Sequence, residues 1–165
     1  MLSIRRMLMM EDDEEMKEWK LIKERILEEQ TAWISETLDG QYKELLLIYE
    51  NLWSSNKTGI GVAISFNGNS TTSSTTSFST GAFVNSEQFP SQGFFEIKFL
   101  PNGCAKVIGA GINSGANRGS AVNNLGYMTK DQMKNLDYIN KVNFSLEAYG
   151  ANEMNAGAKI YIYGR

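Results

Sequence analysis

The side chains that most often carry chemistry are nearly missing from this sequence: it has no histidine and a single cysteine, Cys104. That excludes Ser-His-Asp and Cys-His nucleophile systems, His-ligated zinc or iron, and an imidazole proton shuttle within this chain. One thiol makes neither an intrachain disulfide nor a Cys-rich metal cage. Carboxylate chemistry is left. Glycoside hydrolysis needs two carboxyls roughly 5 to 10 Å apart, and Glu44, Glu50, Glu96 and Glu147 all fall in strand-like runs, where a solvent-facing position is the simpler reading. Gly109-Ala110-Gly111 lacks the third glycine of a dinucleotide loop, and the phosphate-loop pattern is absent. Glu11-Asp12-Asp13-Glu14 is contiguous, unlike the alternating ligands of an EF-hand. The expectation is no catalytic residue, no metal and no cofactor.

Binding groups are easier to nominate. Residues 113–126 are rich in Gly, Asn, Ser and Ala, with Arg118 as their one charge, and are too poor in large apolar groups to form core. They read as an exposed loop. Asn113, Asn117, Arg118 and Asn124 would offer amide and guanidinium hydrogen bonds there, and Tyr127 beside them is the ring most expected to be exposed.

The elements that would carry such a loop are strands. Val62, Ile64 and Phe66 share one parity with Ile60, and Val142, Phe144, Leu146 and Ala148 alternate with Asn143, Ser145, Glu147 and Tyr149. Further runs at 42–52, 94–100, 104–112 and 158–163 have similar character, and Pro101-Asn102-Gly103 reads as a tight turn joining two of them into a hairpin. Residues 70–80 are Ser or Thr except for Phe78, which predicts a flexible or edge segment, and 130–136 predict a turn or two of helix. Several short strands without a long helix predict an all-β fold, an antiparallel jelly-roll-like β-sandwich. Only residues 19–38 conflict: Met16, Trp19, Ile22 and Ile26 form a helical stripe, while Trp19 and Leu21, then Ala32 and Ile34, share strand parities. Local propensity favours helix there.

The formal charge of −3 is unevenly placed. Arg5 and Arg6 give the first ten residues +2, residues 11–29 hold nine acids against four bases, and residues 30–165 hold ten of each. A body without surplus Lys and Arg predicts no nucleic-acid partner. The apolar run in MLSIRRMLMM stops at Met10 before five consecutive acids. It is shorter than the roughly seven-residue apolar core of a secretory signal, and no segment nears the roughly 18 residues of a membrane span. Neither a signal peptide nor membrane insertion is expected.

Three pieces of the chain, Trp19-Lys20-Leu21-Ile22-Lys23-Glu24, Tyr42-Lys43-Glu44-Leu45-Leu46-Leu47-Ile48 and the terminal Ala156 to Arg165 ending in Tyr163-Gly164-Arg165, resemble a group of tailed-bacteriophage and prophage virion proteins. In that group a "W-x-L-I" strand opens a β-sandwich, a "Y-K-E-L" strand crosses it and a short strand ends at "Y-G-R". The resemblance implies a non-enzymatic tail, fibre or baseplate-associated module made in the bacterial cytoplasm and carried in the virion. It further implies a homotrimer, attached to other virion proteins through a charged N-terminal segment (1–18), whose sandwich (19–165) meets a host cell-surface glycan. A capsid or tail-tip decoration protein without a ligand, or a carbohydrate-active hydrolase domain, are the alternatives. The resemblance also turns 19–28 and 31–37 into the first two strands, against local propensity.

Overall fold

Alternation of large apolar and small or polar side chains organises the described residues into ten strands. The computed structural model describes residues 18–54, 62–67, 78–79, 90–113, 122–128, 138–146 and 153–165. In chain order the strands are β1 (Lys20–Ile26), β2 (Trp33–Tyr42), β3 (Glu44–Leu52), β4 (Val62–Phe66), β5 (Phe78–Ser79), β6 (Ser91–Phe99), β7 (Ala105–Asn113), β8 (Val122–Met128), β9 (Ile139–Leu146) and β10 (Lys159–Gly164). There is no helix among the described residues. The strands form two antiparallel sheets, ordered β1-β10-β3-β6-β7-β8 and β2-β9-β4-β5. The fold is therefore an all-β sandwich.

The core sits between the sheets. Leu45, Leu47 and Tyr49 of β3, Phe95 and Ile97 of β6, and Ile160 and Ile162 of β10 point inward against Ile34, Ile64, Phe66, Val142 and Phe144 of the other sheet. Phe144 joins the two layers. Its ring lies 5.7 Å from Tyr49 and 6.5 Å, edge-on, from Phe95, geometries that aromatic quadrupoles favour.

Inner strands of the smaller sheet are buried on both faces. In β4, Ala63 and Ser65 are buried as well as Val62, Ile64 and Phe66, and in β9 Asn143 and Ser145 are buried beside Val142, Phe144 and Leu146. The alternation read from sequence thus locates the large groups but does not mark the second parity as solvent-facing. Asn143 meets its burial cost by donating to Ser65 Oγ at 3.1 Å.

The hairpin expected at Pro101-Asn102-Gly103 joins β6 to β7. Gly103 takes a φ of 80°, its N–H reaches Leu100 O at 2.9 Å, and Asn102 Oδ1 accepts from Cys104 N at 3.0 Å. Residues 19–38 also resolve as strands, as the motif resemblance implied: β1 pairs with β10 and β2 with β9. Three boundaries differ from expectation. The run 42–52 is two elements, because Tyr42 ends β2 opposite Ile139 and the chain crosses to the other sheet through Lys43. β2 runs beyond residue 37, with a register shift between Thr37 and Tyr42. Residues 113–126 are not one continuous loop, since Val122 onward pairs with β7 as β8. There the backbone ladder overrides the poor strand propensity of Asn and Gly. Phe78–Ser79 form a short edge strand on β4, in keeping with the expected edge segment; the rest of 70–80 and the helix expected at 130–136 lie outside the described residues.

Candidate functional site

Three of the five candidate binding residues lie in described strands. Asn113 ends β7 opposite Ser91, Asn124 pairs with Gly109, and Tyr127 pairs with Lys106. Asn117 and Arg118 lie outside the described residues. Of the nominated carboxylates, Glu147 is likewise outside them. No group of three Asp, Glu or Cys side chains able to hold a metal occurs among the described residues.

Glu44 is engaged structurally. Its carboxylate bonds Lys98 Nζ at 3.0 Å and Arg165 Nε at 2.6 Å, while the Arg165 guanidinium stands 4.4 Å from the centroid of the Trp19 ring. Backbone bonds between Glu44 and Arg165 run in both directions. Next to them Gly164 packs so closely on Ile22 and Tyr42 that a Cβ would collide with both side chains. The three sequence pieces W-x-L-I, Y-K-E-L and Y-G-R therefore meet at one end of the six-stranded sheet, closing the C-terminal strand between the first and third. Their role is architectural.

Partial burial pushes the Glu44 carboxyl up, but hydrogen bonds from Lys98 and Arg165, and then their charges, outweigh it and hold the group below the usual carboxylate range. A carboxyl with a lower pKa folded than unfolded contributes stability above its unfolded pKa of about 4.3 and loses it as pH falls through the folded value. The stability difference between the wild type and Glu44→Gln should therefore shrink as pH drops from about 5 to about 3, by about 1 kcal/mol or less, because the cluster is partly solvated. Urea midpoints measured across that range check this; a difference constant with pH would contradict it.

A concave site lies elsewhere, at the open side of the sandwich where edge strands β1 and β2 meet across the two sheets. It is a cleft of about 740 Å³. Arg25, Ile26 and Leu27 line one side, Glu28, Glu29 and Thr31 the connecting turn, and β2 the other side, with Glu36 on the inward face of the strand and Trp33 and Ser35 at the rim on its outward face. Glu36 holds the walls together through Lys23 at 3.4 Å and Arg25 at 3.8 Å. Thr31 Oγ1 donates to Trp33 O at 3.0 Å, fixing the turn into β2. Trp33 is 43 % exposed, although an indole usually goes into the core. Ser35 Oγ is buried without a hydrogen-bond partner among the described residues.

An exposed indole beside hydroxyl, carboxylate and guanidinium groups suits a neutral, hydroxyl-rich ligand: C–H faces stack on the ring, and hydroxyls both donate and accept. The cleft mixes acids and bases, so it is not a site built for an anion. Sequence reading missed it, because its walls come from the segment where helix and strand signals compete. The available signal was parity: once 31–37 is a strand, Trp33 falls on the opposite face from Ile34 and Leu38.

Comparison of the chain with protein-family models, with curated proteins and with solved structures finds no match.

Proposed function

We propose that this protein is a non-enzymatic β-sandwich module of a tailed-phage virion, associated with tail or fibre, that binds a bacterial surface glycan in the cleft between β1 and β2. The observation that carries the glycan reading is the exposed Trp33 indole at the rim of a polar cleft. The virion reading is supported by the three motif pieces, whose residues Trp19, Glu44 and Arg165 form one cluster. A jelly-roll reading of the sandwich is supported by strand order: β1, β2, β3 and β4 alternate between the sheets, and the late strands β9 and β10 insert between the early ones. The β7–β8 hairpin extends the larger sheet beyond that eight-strand pattern. Carboxylates in the described structure serve binding and structure in this reading, with Glu36 held in ion pairs with Lys23 and Arg25.

Binding is tested on a panel of immobilised bacterial cell-wall and capsular oligosaccharides, with calorimetry on any positive. Trp33→Ala should weaken binding about tenfold or more while leaving the thermal midpoint within a few degrees, since the ring is a surface anchor. No binding across the panel, or binding indifferent to Trp33→Ala, would remove the cleft from the function. Release of reducing ends from any of these glycans would favour the hydrolase alternative instead.

A further inference from the structure

β1 is built unlike the strand it joins. The inward parity of β10 is filled by the buried Ile160 and Ile162, but the β1 residues opposite them, Arg25 and Lys23, are charged and reach Glu36 of β2 at 3.8 and 3.4 Å instead of the core. Leu21 and Ile26 are 52 % and 51 % exposed. Of the seven residues in β1, Ile22 alone packs against the core. A register shift between Leu21 and Lys23 interrupts the ladder with β10. Solvent-exposed ion pairs add little, so one row of backbone bonds along β10, with the Arg165–Trp19 contact at its start, is what keeps β1 in place. Just beyond it Leu27 is buried, donates from N to Ala158 O at 3.0 Å and accepts from Gly157 N at 2.7 Å, which makes a fixed hinge.

We infer that β1 is a releasable strand that couples the cleft to the N-terminal segment. It leaves β10 as a unit, hinging at Leu27, while the rest of the sandwich stays folded, because this opening uncovers little apolar surface and breaks one ladder. Coupling, unlike release, rests on the glycan reading of the cleft. Arg25 and Ile26 line one side of that cleft, so a seated ligand meets them only while β1 is in place. Binding to the closed form alone holds β1 on by mass action, and a pull on β1 weakens binding in return. β1 follows directly on the charged residues 1–18, so one strand links an occupied cleft to the segment through which the proposed module attaches.

The test is hydrogen exchange of the full chain, read residue by residue by NMR at increasing urea. Without ligand, β1 amides should exchange on the order of a hundredfold faster than Phe144 and with little urea dependence. In an antiparallel sheet, alternate residues of a middle strand bond to opposite neighbours. Alternate β10 amides should therefore exchange with β1, and the others, bonded to β3, much more slowly. β1 amides no faster than Phe144, or all of β10 exchanging together with β1, would overturn the release. For the coupling, an oligosaccharide from the cell-wall and capsular panel that binds the wild type is added at about 100 times its dissociation constant, and should slow β1 exchange about a hundredfold. Trp33→Ala at the same concentration should show about a tenfold slowing, in step with its weaker binding. Trp33-dependent binding that leaves β1 exchange unchanged overturns the coupling while the glycan reading stands. If no glycan binds, that reading and the coupling fall together, and the release is still decided by the ligand-free measurement.

Discussion

Phe144→Ala is expected to lower stability by about 4 kcal/mol, the middle of the range for removing a buried aromatic ring. The ring is 2 % exposed and touches both layers, lying against Tyr49 and Phe95 of the six-stranded sheet. Within its own sheet it pairs with Ile34 on one side and Ile64 on the other. All four neighbours are anchored in strands, so the cavity cannot collapse without moving a sheet. For a chain of this size about 4 kcal/mol corresponds to a fall of roughly 8 to 16 °C in the thermal midpoint. Phe144→Leu keeps much of the volume and should cost about 1.5 kcal/mol or less. Equilibrium urea unfolding of the two variants separates these values. A loss below about 1 kcal/mol for the alanine variant would mean that the two sheets do not share this contact.

The parts of the fold that were legible in sequence are those whose signal is local. Val142, Phe144 and Leu146 announce a strand by period, and Pro101-Asn102-Gly103 announces a hairpin by turn chemistry. β1 shows the limit. Lys20–Ile26 is rich in residues that favour helices and is largely exposed, yet it lies along β10 with Leu21 opposite Tyr163. Helix propensity differs by only a few tenths of a kcal/mol per residue among such side chains, and a short segment without a buried stripe yields to a ladder supplied by the far end of the chain. That partner is more than 130 residues away, so no local window contains the information. β8 is the same case in another form, with β7 supplying its pairing.

The candidate site was less legible for a related reason. A polar loop is visible as composition, which points to Asn113, Asn117, Arg118 and Asn124 with Tyr127 beside them, whereas a cleft between two edge strands exists only after both sheets are assembled. Trp33 and Glu36 become neighbours of Arg25 through the stacking of β1's sheet on β2's sheet. The helix alternative for 19–38 would have placed the same residues on one continuous element and made no cleft. The outward positions of the six-stranded sheet were hidden similarly, since Leu46, Ile48, Tyr161 and Tyr163 look like core residues until register sets them on the opposite parity from Leu45, Leu47, Ile160 and Ile162.

Asn155 gives the second large effect, through hydrogen bonding rather than volume. It is fully buried and spans the gap between the end of β3 and the turn into β10. Its Oδ1 accepts from Trp53 N at 2.8 Å, and its Nδ2 donates to Asn51 O at 3.1 Å and Ala156 O at 2.8 Å. Asn51 itself has a φ of 53° at the β3 bulge and donates from Nδ2 to Gly157 O at 3.1 Å, so the bulge and the turn hold each other. Asn155→Ala removes the bonds of a buried side chain to three partly buried backbone groups, each worth about 0.5 to 1.5 kcal/mol net; a total loss of about 3 kcal/mol is expected. Asn155→Asp is nearly isosteric, but at neutral pH it sets a carboxylate against two carbonyl oxygens. Burial and those dipoles would raise its folded pKa above the unfolded value of about 3.9. A carboxyl raised in the folded state is tolerated when protonated and destabilises as pH rises past its unfolded pKa. The deficit of Asn155→Asp relative to the wild type should therefore be larger at pH 7 than at pH 4, opposite in sign to the Glu44 contribution. Urea unfolding of both proteins at the two pH values reads this directly, with Asn155→Ala as the reference whose deficit does not titrate. Equal deficits for Asn155→Asp at pH 4 and pH 7 would show that the side chain is hydrated in solution and does not lock the β3 bulge to the β10 turn.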